Sequence, residues 1–175
     1  MSLWFIADHH FGHANIIQYE NRPFANVSEM NGEMIKKWNK AIAKYEKVYV
    51  LGDFSFHNKA LTEHIVEQLN GYKVLVMGNH DKARSARWWL DVGFDEVYAH
   101  PVLLDGKYIL SHEPHKIDGY VNIFGHVHSH PLFADYTEQS FCVSAERIGY
   151  TPINLKDIKK AVERRPDQTL ARQAL

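Results

Sequence analysis

The chain has 175 residues, of which 45% are hydrophobic and 23% charged, as in ordinary soluble domains that bury a substantial core. Its formal net charge of -1 and isoelectric point near 6.9 exclude the strongly basic surface of a protein that coats nucleic acid, although they allow a small nucleotide substrate. Because Cys142 is the one cysteine, and neither a signal-peptide pattern nor an apolar run of about 20 residues occurs, we expect a cytoplasmic protein without internal disulfides or a membrane partner.

Three short apolar runs alternate with two helical patterns in the first half of the chain. Residues 29–44 carry apolar side chains at helical spacing after Ser28, a suitable N-cap, and residues 59–69 do the same before an Asn-Gly stop signal. The apolar runs are continuous rather than alternating, which is typical of strands buried on both faces. This order predicts two right-handed strand–helix–strand units and a parallel sheet. The three predicted strands are residues 3–7, 47–51 and 72–77.

The strand patterns of the second half are more closely spaced. Residues 105–106, an Asp-Gly pair, are a strong hairpin signal between two of them. A final helix is predicted from residue 154 or 155 to about 164, and residues 166–175 are polar and expected to be mobile. We therefore predict one α/β domain over residues 1–165. The further predicted strands are residues 95–99, 102–104, 107–110, 120–124, 141–144 and 149–152.

Carboxylate, amide and imidazole side chains directly follow five of the predicted strands. Because ligands of open α/β sheets bind outside the carboxyl ends of the strands, we expect these side chains to share one cleft. Alternate residues of an extended segment face the same way, so Asp8 should point with His10, and His126 with His128. Three glycines beside these side chains would allow sharp exits and a close approach of the backbone to an anion. The glycines are Gly52, Gly78 and Gly125, and the seven candidate ligands are Asp8, His10, Asp53, Asn79, His112, His126 and His128.

The chemistry of these donors indicates metal binding. Oxygen and imidazole donors without thiolates suit Mn, Fe, Ni, Co or Zn better than a structural zinc site. Seven donors exceed the needs of one ion with an open position, but they suffice for two ions if one carboxylate bridges. A single Asp or Asn after a strand is usually a turn residue, whereas burying this many Asp and His side chains without a cation would be very costly. The sequence therefore predicts two divalent ions, with manganese placed before Fe, Ni, Co, Zn and Mg.

The same residues fall into five blocks that resemble the calcineurin-like metallophosphoesterases. The family pattern is DxH, GD, GNH followed by D or E, a lone H, and GHxH, and all five blocks occur here in that order. The stretches DHHFGHANII and NRPF further resemble a compact bacterial and phage branch of the family. The blocks of this chain are Asp8-His9-His10, Gly52-Asp53, Gly78-Asn79-His80-Asp81, His112 and Gly125-His126-Val127-His128.

The resemblance implies a fold, an activity and a role for each residue. The fold would be a four-layer α/β/β/α sandwich of two mixed β-sheets flanked by helices. Phosphate mono- or diesters would be hydrolysed by a hydroxide that bridges two ions, whose charge lowers the pKa of bound water. His80 would be the general acid for the leaving group, and its acidic partner stays open, since the adjacency of Asp81 in sequence is poor evidence of contact. The resemblance assigns Asp8, His10 and His128 to the first ion, Asn79, His112 and His126 to the second, and Asp53 to the bridge between them.

The chain departs from one branch of the family after the Gly-Asp block. The protein serine/threonine phosphatases continue with an arginine-bearing DRG, whereas this chain continues with Phe-Ser-Phe-His. The expected phosphate-gripping arginine is therefore missing, which argues against a phosphoprotein substrate. His13, Arg22 and Arg84 are the nearest substitutes in sequence, and Arg22 would hold phosphate oxygens bidentately.

The remaining histidines and the tryptophans are interpreted as structural or solvated. His9 should point away from the metals by strand alternation. The four tryptophans fall on apolar faces and are expected to pack in the core rather than to form a base-stacking platform. The histidines expected in loops or on a helix surface are His57, His64, His100, His115 and His130.

Three functions compete on these grounds. The first is a metal-dependent phosphoesterase acting on small or nucleotide-like substrates. The second is a nuclease with the same chemistry, but nucleases of the family usually add a capping or DNA-holding domain, for which 175 residues of near-zero charge leave little room. The third, a scaffold without catalysis like the retromer subunit of the family, is disfavoured because His80 and every metal-ligand position are present. The phosphoesterase is preferred. The sequence leaves the oligomeric state open.

Overall fold

The computed structural model of the protein describes residues 2–133 and 139–164, apart from the side chain of residue 132. The tail predicted at residues 166–175 and the domain boundary predicted at residue 165 lie outside the described residues. Within the described ranges the strands are β1 (Leu3–Ile6), β2 (Lys47–Val50), β3 (Tyr72–Val76), β4 (Glu96–Tyr98), β5 (Val102–Leu104), β6 (Tyr108–Leu110), β7 (Val121–Phe124), β8 (Ser140–Cys142) and β9 (Ile153–Asn154). The helices are α1 (Ile16–Tyr19), α2 (Val27–Ala41), α3 (Lys59–Gln68), α4 (Ala86–Asp91) and α5 (Leu155–Glu163), with 3-10 turns at Asp81–Ala83 and Pro131–Phe133.

The strands form two mixed sheets. The first has the order β4-β3-β2-β1-β9, in which β9 is antiparallel to β1 and the other neighbours are parallel. The second has the order β5-β6-β7-β8, in which β5 is antiparallel to β6 and the other neighbours are parallel. The hairpin predicted at residues 105–106 joins β5 to β6, as expected. Two mixed sheets flanked by helices confirm the predicted fold class.

The central strands of the first sheet bury both of their faces. Ile6 and Val50 pack with side chains of α2, α3 and α4, whereas their neighbours Phe5 and Tyr49 pack against the second sheet. Burial on both faces explains why these strands are continuous apolar runs in the sequence. Helix α5 packs where the two sheets meet, against β1, β8 and β9. The tryptophans belong to the core as predicted, with Trp38 and Trp89 fully buried and Trp4 and Trp88 partly buried against the same core cluster.

Helix α2 begins and ends earlier than predicted. Its N-cap is Asn26 rather than Ser28, because Asn26 is extended and its side-chain oxygen accepts a 3.0 Å hydrogen bond from the main chain of Glu29. The Glu29 carboxylate in turn accepts a 2.6 Å hydrogen bond from the main-chain N–H of Ala25. This reciprocal cap fixes the helix start in place of the serine.

The strand predicted at residues 149–152 is a turn. Gly149 and Tyr150 both have a φ of 60°, which no strand accommodates. The chain becomes extended only at β9, which pairs with β1. Asn154 then caps α5 by accepting a 3.0 Å hydrogen bond from the N–H of Lys156, so the start predicted for the last helix is confirmed.

The two sheets are joined directly at the end of β1. Ala7 pairs in parallel with Ser144, just beyond β8, through main-chain hydrogen bonds of 2.9 and 3.0 Å. Next to this bridge, the N–H of Asp8 donates to the carbonyl of Gly52 at 3.0 Å. The segments that follow β1, β2 and β8 therefore lie side by side, and the polar residues that they carry meet at one edge.

Candidate metal centre

Five of the seven candidate ligands have a left-handed backbone conformation. Such φ values are uncommon outside glycine and occur at functional sites, where the surrounding structure compensates the strain. Strands β1 and β7 end before these residues. The expectation that strand alternation aligns the side chains is therefore wrong, because left-handed turns bring them together instead. The φ angles are 58° at Asp8, 54° at His10, 54° at Asp53, 69° at His126 and 45° at His128.

The first donor group consists of Asp8, His10 and His128, whose ligand atoms all lie within 4.8 Å of one another. Asp8 is 0% and His10 is 3% exposed. Oδ1 of Asp8 and both ring nitrogens of His10 have no hydrogen-bond partner in the described part of the chain. Burial raises the pKa of Asp8 to about 6 and lowers the pKa of His10. Buried polar atoms without partners are costly, and a cation would satisfy both side chains at once.

The second donor group consists of Asn79, His112 and His126. Nε2 of His112 lies 2.9 Å from Oδ1 of Asn79 and 3.1 Å from Nδ1 of His126, and the latter two atoms are also 3.1 Å apart. Nδ1 of His112 lies 2.9 Å from the carbonyl oxygen of Leu51, which can only accept, so Nδ1 carries a proton and Nε2 is the atom directed at Asn79 and His126. An amide oxygen and two imidazole nitrogens thus lie within 3.1 Å of one another. A cation bound there would be within reach of all three side chains.

Asp53 lies between the two groups. Its Oδ2 is 3.7 Å from Nε2 of His10 and 3.5 Å from Nε2 of His112. Asp53 also groups with Asp8 and His112, their ligand atoms all within 4.8 Å. A carboxylate in this place would be within reach of ions in both groups, and the bridge that the resemblance implied stays a prediction. The structure thus brings all seven candidate ligands into one cluster, and their role as ligands stays a prediction.

The three glycines of the motif allow the ligand side chains to approach the backbone. A Cβ on Gly78 would overlap Oδ1 of Asp53, and one on Gly125 would lie 2.7 Å from Oδ2 of Asp8. Gly52, with a φ of 89°, packs so closely on Gly78 that a Cβ would lie 2.6 Å from its Cα. These glycines therefore make room for protein side chains, and the close approach of an anion to the backbone stays a prediction.

His80 stands at the edge of the cluster. Its side chain is 51% exposed, and its Nε2 lies 3.9 Å from Oδ2 of Asp53. The main-chain N–H of His80 donates a 3.0 Å hydrogen bond to Oδ1 of the same carboxylate. The ring lies 4.9 Å from that of Phe56, between centroids. An exposed imidazole beside the donor groups can exchange protons with solvent and with a substrate.

Asp81 is not directed at His80. Its buried carboxylate accepts hydrogen bonds from the main-chain N–H groups of Asp53 (2.7 Å), Phe54 (3.1 Å) and Gly78 (2.8 Å). Burial raises the pKa of Asp81 in spite of these three bonds. The side chain therefore ties together the loops after β2 and β3, which carry candidate ligands. This role was not recognised in the sequence, where Asp81 appears only as the residue after the histidine.

Arg22 does not face the cleft. It is 4% exposed, and each of its five N–H groups has an acceptor. Nε and Nη2 donate to Oε1 of Glu146 at 2.8 and 2.5 Å. Nη2 also donates to the carbonyl of Asp8 at 2.7 Å, and Nη1 donates to the carbonyl of His9 at 2.7 Å and to the sulfur of Met30 at 3.4 Å. The expected phosphate-gripping role of Arg22 is wrong, because no donor is left for a phosphate oxygen.

Glu146 is a member of the site that the sequence did not reveal. Both oxygens of its carboxylate lie 3.3 Å from Nδ1 of His128. Burial works against protonation of His128, but this contact and the nearby carboxylates outweigh burial and raise its pKa. Burial likewise disfavours the ionised form of Glu146, yet the contact with His128 and the charge of Arg22 lower its pKa. Glu146 follows the strand predicted at residues 141–144, so the strand-end pattern that indicated the other ligands was a usable signal here too.

The other two candidate substrate residues lie in different surroundings. The ring of His13 stacks on that of Phe56 with centroids 4.4 Å apart and an interplanar angle of 14°, at the rim of the first donor group. Arg84 donates a 2.8 Å hydrogen bond to the carbonyl of His57, and its guanidinium lies 4.5 Å from the ring centroid of Trp88. Helix α4 and the loop after β2 hold Arg84, which gives a phosphate-gripping role no support. The position of His13 is compatible with substrate contact.

The remaining histidines are mostly where they were expected. His9 is buried against aromatic rings, with centroids 5.6 Å from Trp38 and 5.3 Å from Phe54, as its structural interpretation requires. His57 differs from the expectation, because it is half-buried and its Nε2 lies 3.2 Å from the side-chain amide of Asn31. His64, His100 and His130 are exposed, and His115 is partly exposed.

None of the helices in residues 2–133 and 139–164 combines the length and the hydrophobicity that a membrane span requires.

Comparison with known proteins identifies the family. The model of the calcineurin-like phosphoesterase family matches residues 1–172. An uncharacterised protein of Methanocaldococcus jannaschii, MJ1445, is 38% identical over 173 residues, which cover 93% of this chain and 92% of that protein.

Two solved structures share the fold. One is AQ665 from Aquifex aeolicus, a protein of unknown function, with 28% identity, a TM-score of 0.73, and coverage of 91% of this chain and 98% of that chain. The other is the nuclease MPE of Pseudomonas putida, with 22% identity, a TM-score of 0.52, and coverage of 72% of this chain and 60% of that chain. The family match spans all five motif blocks found in the sequence. The chain belongs to the calcineurin-like phosphoesterase family.

Proposed function

We propose that the protein is a phosphoesterase that binds two divalent ions and hydrolyses phosphate mono- or diesters of small or nucleotide-like substrates. The observation that carries this proposal is the pair of donor groups with Asp53 between them. Unpartnered atoms of Asp8 and His10 on one side, and the close approach of Asn79, His112 and His126 on the other, fit two cations. Two ions bound there would generate a nucleophile from water near neutral pH and take up charge on the phosphate oxygens.

The protein's own residues orient the substrate and move a proton. In the proposed reaction His80 donates a proton to the leaving oxygen, because it is the exposed imidazole next to the donor groups. Asp53 holds His80 through its main-chain N–H, but its Oδ2 lies 3.9 Å from Nε2 of His80, beyond a hydrogen bond, so the acidic partner of the His80 ring stays open. His13 is assigned to the substrate side of the first donor group.

The identity of the ions follows from the donor set. Carboxylate, amide oxygen and imidazole donors without a thiolate accept Mn, Fe, Ni, Co, Zn or Mg, and manganese is our first choice. A cytoplasmic location is part of the same proposal, and rests on the single cysteine.

A nucleotide-like substrate is favoured by an aromatic rim beside the site. Tyr19 is 67% and Phe56 37% exposed, and both flank His13, which the rings approach to 6.1 and 4.4 Å between centroids. Exposed rings next to a phosphate site offer a surface on which a base can stack. A nuclease acting on DNA or RNA is the second candidate, supported by the fold shared with the nuclease MPE. A scaffold without catalysis is the least favoured, because His80 is exposed and placed to react.

Hydrolysis of two chromogenic esters tests the proposal. The protein is assayed with bis-p-nitrophenyl phosphate and p-nitrophenyl phosphate, without metal and with Mn, Ni, Co, Mg or Zn, beside the variants His80→Ala and His64→Ala. We expect metal-dependent turnover that His80→Ala lowers by about 10²–10⁴-fold and His64→Ala, an exposed position on α3, leaves unchanged. Turnover of neither ester and no cleavage of long single strands with any metal would favour the scaffold, whereas cleavage confined to long single strands would favour the nuclease.

A further inference from the structure

A buried ion pair adjoins the first donor group. Nη2 of Arg22 lies 2.5 Å from Oε1 of Glu146, and the two side chains are 0% and 6% exposed. Arg22 follows helix α1, and Glu146 follows strand β8 and the bridge between the two sheets. The pair therefore connects distant parts of the chain. Neither residue is a candidate ligand of the two ions described above, and each contacts residues that are.

Arg22 fixes the turn that carries two first-group ligands. Its guanidinium donates to the main-chain carbonyls of Asp8 and His9, each at 2.7 Å. This is the turn in which Asp8 and His10 have left-handed φ angles of 58° and 54°. Strained backbone of this kind persists only where surrounding contacts determine it, and a planar guanidinium with several fixed donors can hold two carbonyls at once.

Glu146 fixes the third ligand of the same group. Its carboxylate can only accept, so the contact at 3.3 Å places the proton of His128 on Nδ1. Nε2 of His128 then keeps its lone pair for an ion. A histidine ligand whose second nitrogen donates to a carboxylate is oriented, fixed in one tautomer and made more basic. Leu51 does the same for His112 in the second group through its carbonyl, without help from the ion pair.

We propose that Arg22 and Glu146 are positioning residues for the first ion, acting through the turn at Asp8 and through the ring of His128. This inference rests on the proposed function, since it concerns one of its two ions. It predicts that damage to the pair weakens the first ion selectively, because the second donor group has a separate support. An ion pair that contributed only to folding would affect both ions equally or neither.

An alternative role for Glu146 is that of a metal ligand. Ligand atoms of Glu20, His128 and Glu146 also lie within 4.8 Å of one another. The guanidinium of Arg22 already contacts Glu146 through two donors, so a cation beside this carboxylate would face a fixed positive charge. The contacts of Glu20 go to Ser129, whose main-chain N–H donates to it at 3.2 Å. Positioning is therefore favoured over coordination.

Metal titration of matched variants tests this inference. The wild type, Glu146→Gln and Glu146→Asp are compared with Glu96→Gln, which breaks the 2.9 Å ion pair between Lys47 and Glu96 outside the cluster. Mn²⁺ affinities and stoichiometry are measured by calorimetry, and pairing of the ions by electron paramagnetic resonance. We expect Glu146→Gln to lower the affinity for one ion by about 10–100-fold and leave the other unchanged. Glu146→Asp should recover part of the loss because it keeps a carboxylate acceptor, and Glu96→Gln should bind both ions as the wild type does.

Three outcomes overturn the inference. Glu146→Gln that binds both ions with wild-type affinity would show that the pair serves folding alone. Equal loss of both ions would show that the effect is not specific to the first group. A third ion per wild-type chain that disappears in Glu146→Gln would make Glu146 a ligand. A wild type that binds fewer than two ions contradicts the proposed function instead, whatever the variants do.

A second variant tests the inference if Glu146→Gln fails to form a cooperatively folded protein. Arg22→Lys keeps a positive charge beside Glu146 but loses the planar set of donors that holds the carbonyls of Asp8 and His9. It should show the same selective loss of one ion. Wild-type affinity of Arg22→Lys for both ions would contradict the positioning role of the guanidinium.

Discussion

His80 and Asp81 are neighbours in the sequence with different surroundings. His80 is half exposed at the edge of the cluster, where it can meet a substrate. Asp81 is 1% exposed and receives three main-chain hydrogen bonds from two loops. We therefore expect His80 to take part in the chemistry and Asp81 to fix the geometry of the donor groups.

Replacing Asp81 by asparagine should destabilise the protein. An amide has one acceptor oxygen, and its NH₂ group would face main-chain donors, so buried N–H groups lose their partners at a cost of about 2–4 kcal/mol. Urea unfolding measures this loss, with Asp91→Asn as the control, since Asp91 pairs with the exposed Arg87 on α4 and should contribute about 0–1 kcal/mol. A loss no larger than that of the control would refute the role assigned to Asp81.

His9 should make the stability of the metal-free protein dependent on pH. Burial lowers the pKa of His9 to about 3 from an ordinary value of 6.5. Below pH 6.5 the imidazole of His9 is therefore protonated in the unfolded chain but stays neutral in the folded chain. The stability that neutral His9 contributes is present in full above pH 6.5 and is lost as the pH falls towards 3. His9→Phe keeps the aromatic contacts and should reduce the slope of the unfolding free energy against pH by about 1.4 kcal/mol per pH unit between about pH 6 and 4.

The measurement is urea unfolding of both proteins in chelator across that range. His64→Gln, at an exposed position on α3, should leave the slope as it is in the wild type. An unchanged slope in His9→Phe would show that His9 is protonated in the folded protein.

The sequence predicted the cluster at the residue scale but not the contacts that hold it. Types and order of side chains after strands were enough to indicate Asp8, Asp53 and the other candidate ligands, because burying so many Asp and His side chains together is costly unless a cation binds them. Asp and His adopt left-handed φ angles more often than most non-glycine residues, but only in a minority of cases, so the residue types did not reveal these turns and strand alternation was the wrong reason for the convergence. Arg22 was misjudged because burial, which decides whether an arginine is free, depends on tertiary packing. Glu146 was missed although it follows a predicted strand.

At the scale of elements, Gly78 is needed because it leaves space for a neighbouring side chain, not because its backbone requires the conformational freedom of glycine. Gly78→Ala would drive a Cβ into the carboxylate of Asp53, so we expect loss of binding of both ions. Gly32→Ala is the matched control: Gly32 lies in α2 with nothing near its Cβ position, and alanine should stabilise the helix by about 0.5–1 kcal/mol. Mn²⁺ content and urea unfolding are measured for both. Full metal binding by Gly78→Ala would contradict the packing described for Asp53.

The positions of the central strands were predictable because burial on both faces leaves continuous apolar runs. The boundaries of helices and strands were less predictable, since they depend on competition between neighbouring residues. Asn26 and Ser28 both suit an N-cap, and the reciprocal contact with Glu29 decided for Asn26. At residues 149–152 a left-handed pair replaced the predicted strand, and nothing in the periodicity distinguishes the two.

At the scale of the whole molecule, the aromatic rim should set substrate preference. If a base stacks on Phe56, Phe56→Ala should raise KM for a nucleotide ester by about 5–100-fold, from about 1–3 kcal/mol per stacked base, and change KM for p-nitrophenyl phosphate less. Steady-state kinetics on both substrates give the ratio. Leu103→Ala, an exposed apolar position on β5, is the control and should change neither value. Equal effects of Phe56→Ala on both substrates would remove the support for a nucleotide-like substrate.

The two ions themselves are the central claim, and anomalous diffraction from crystals of the Mn²⁺-loaded protein tests it most directly. We expect two peaks about 3.5–4 Å apart, one among Asp8, His10 and His128, the other among Asn79, His112 and His126. Asp53 should contact both. A single peak, or two peaks that do not share Asp53, would contradict the account.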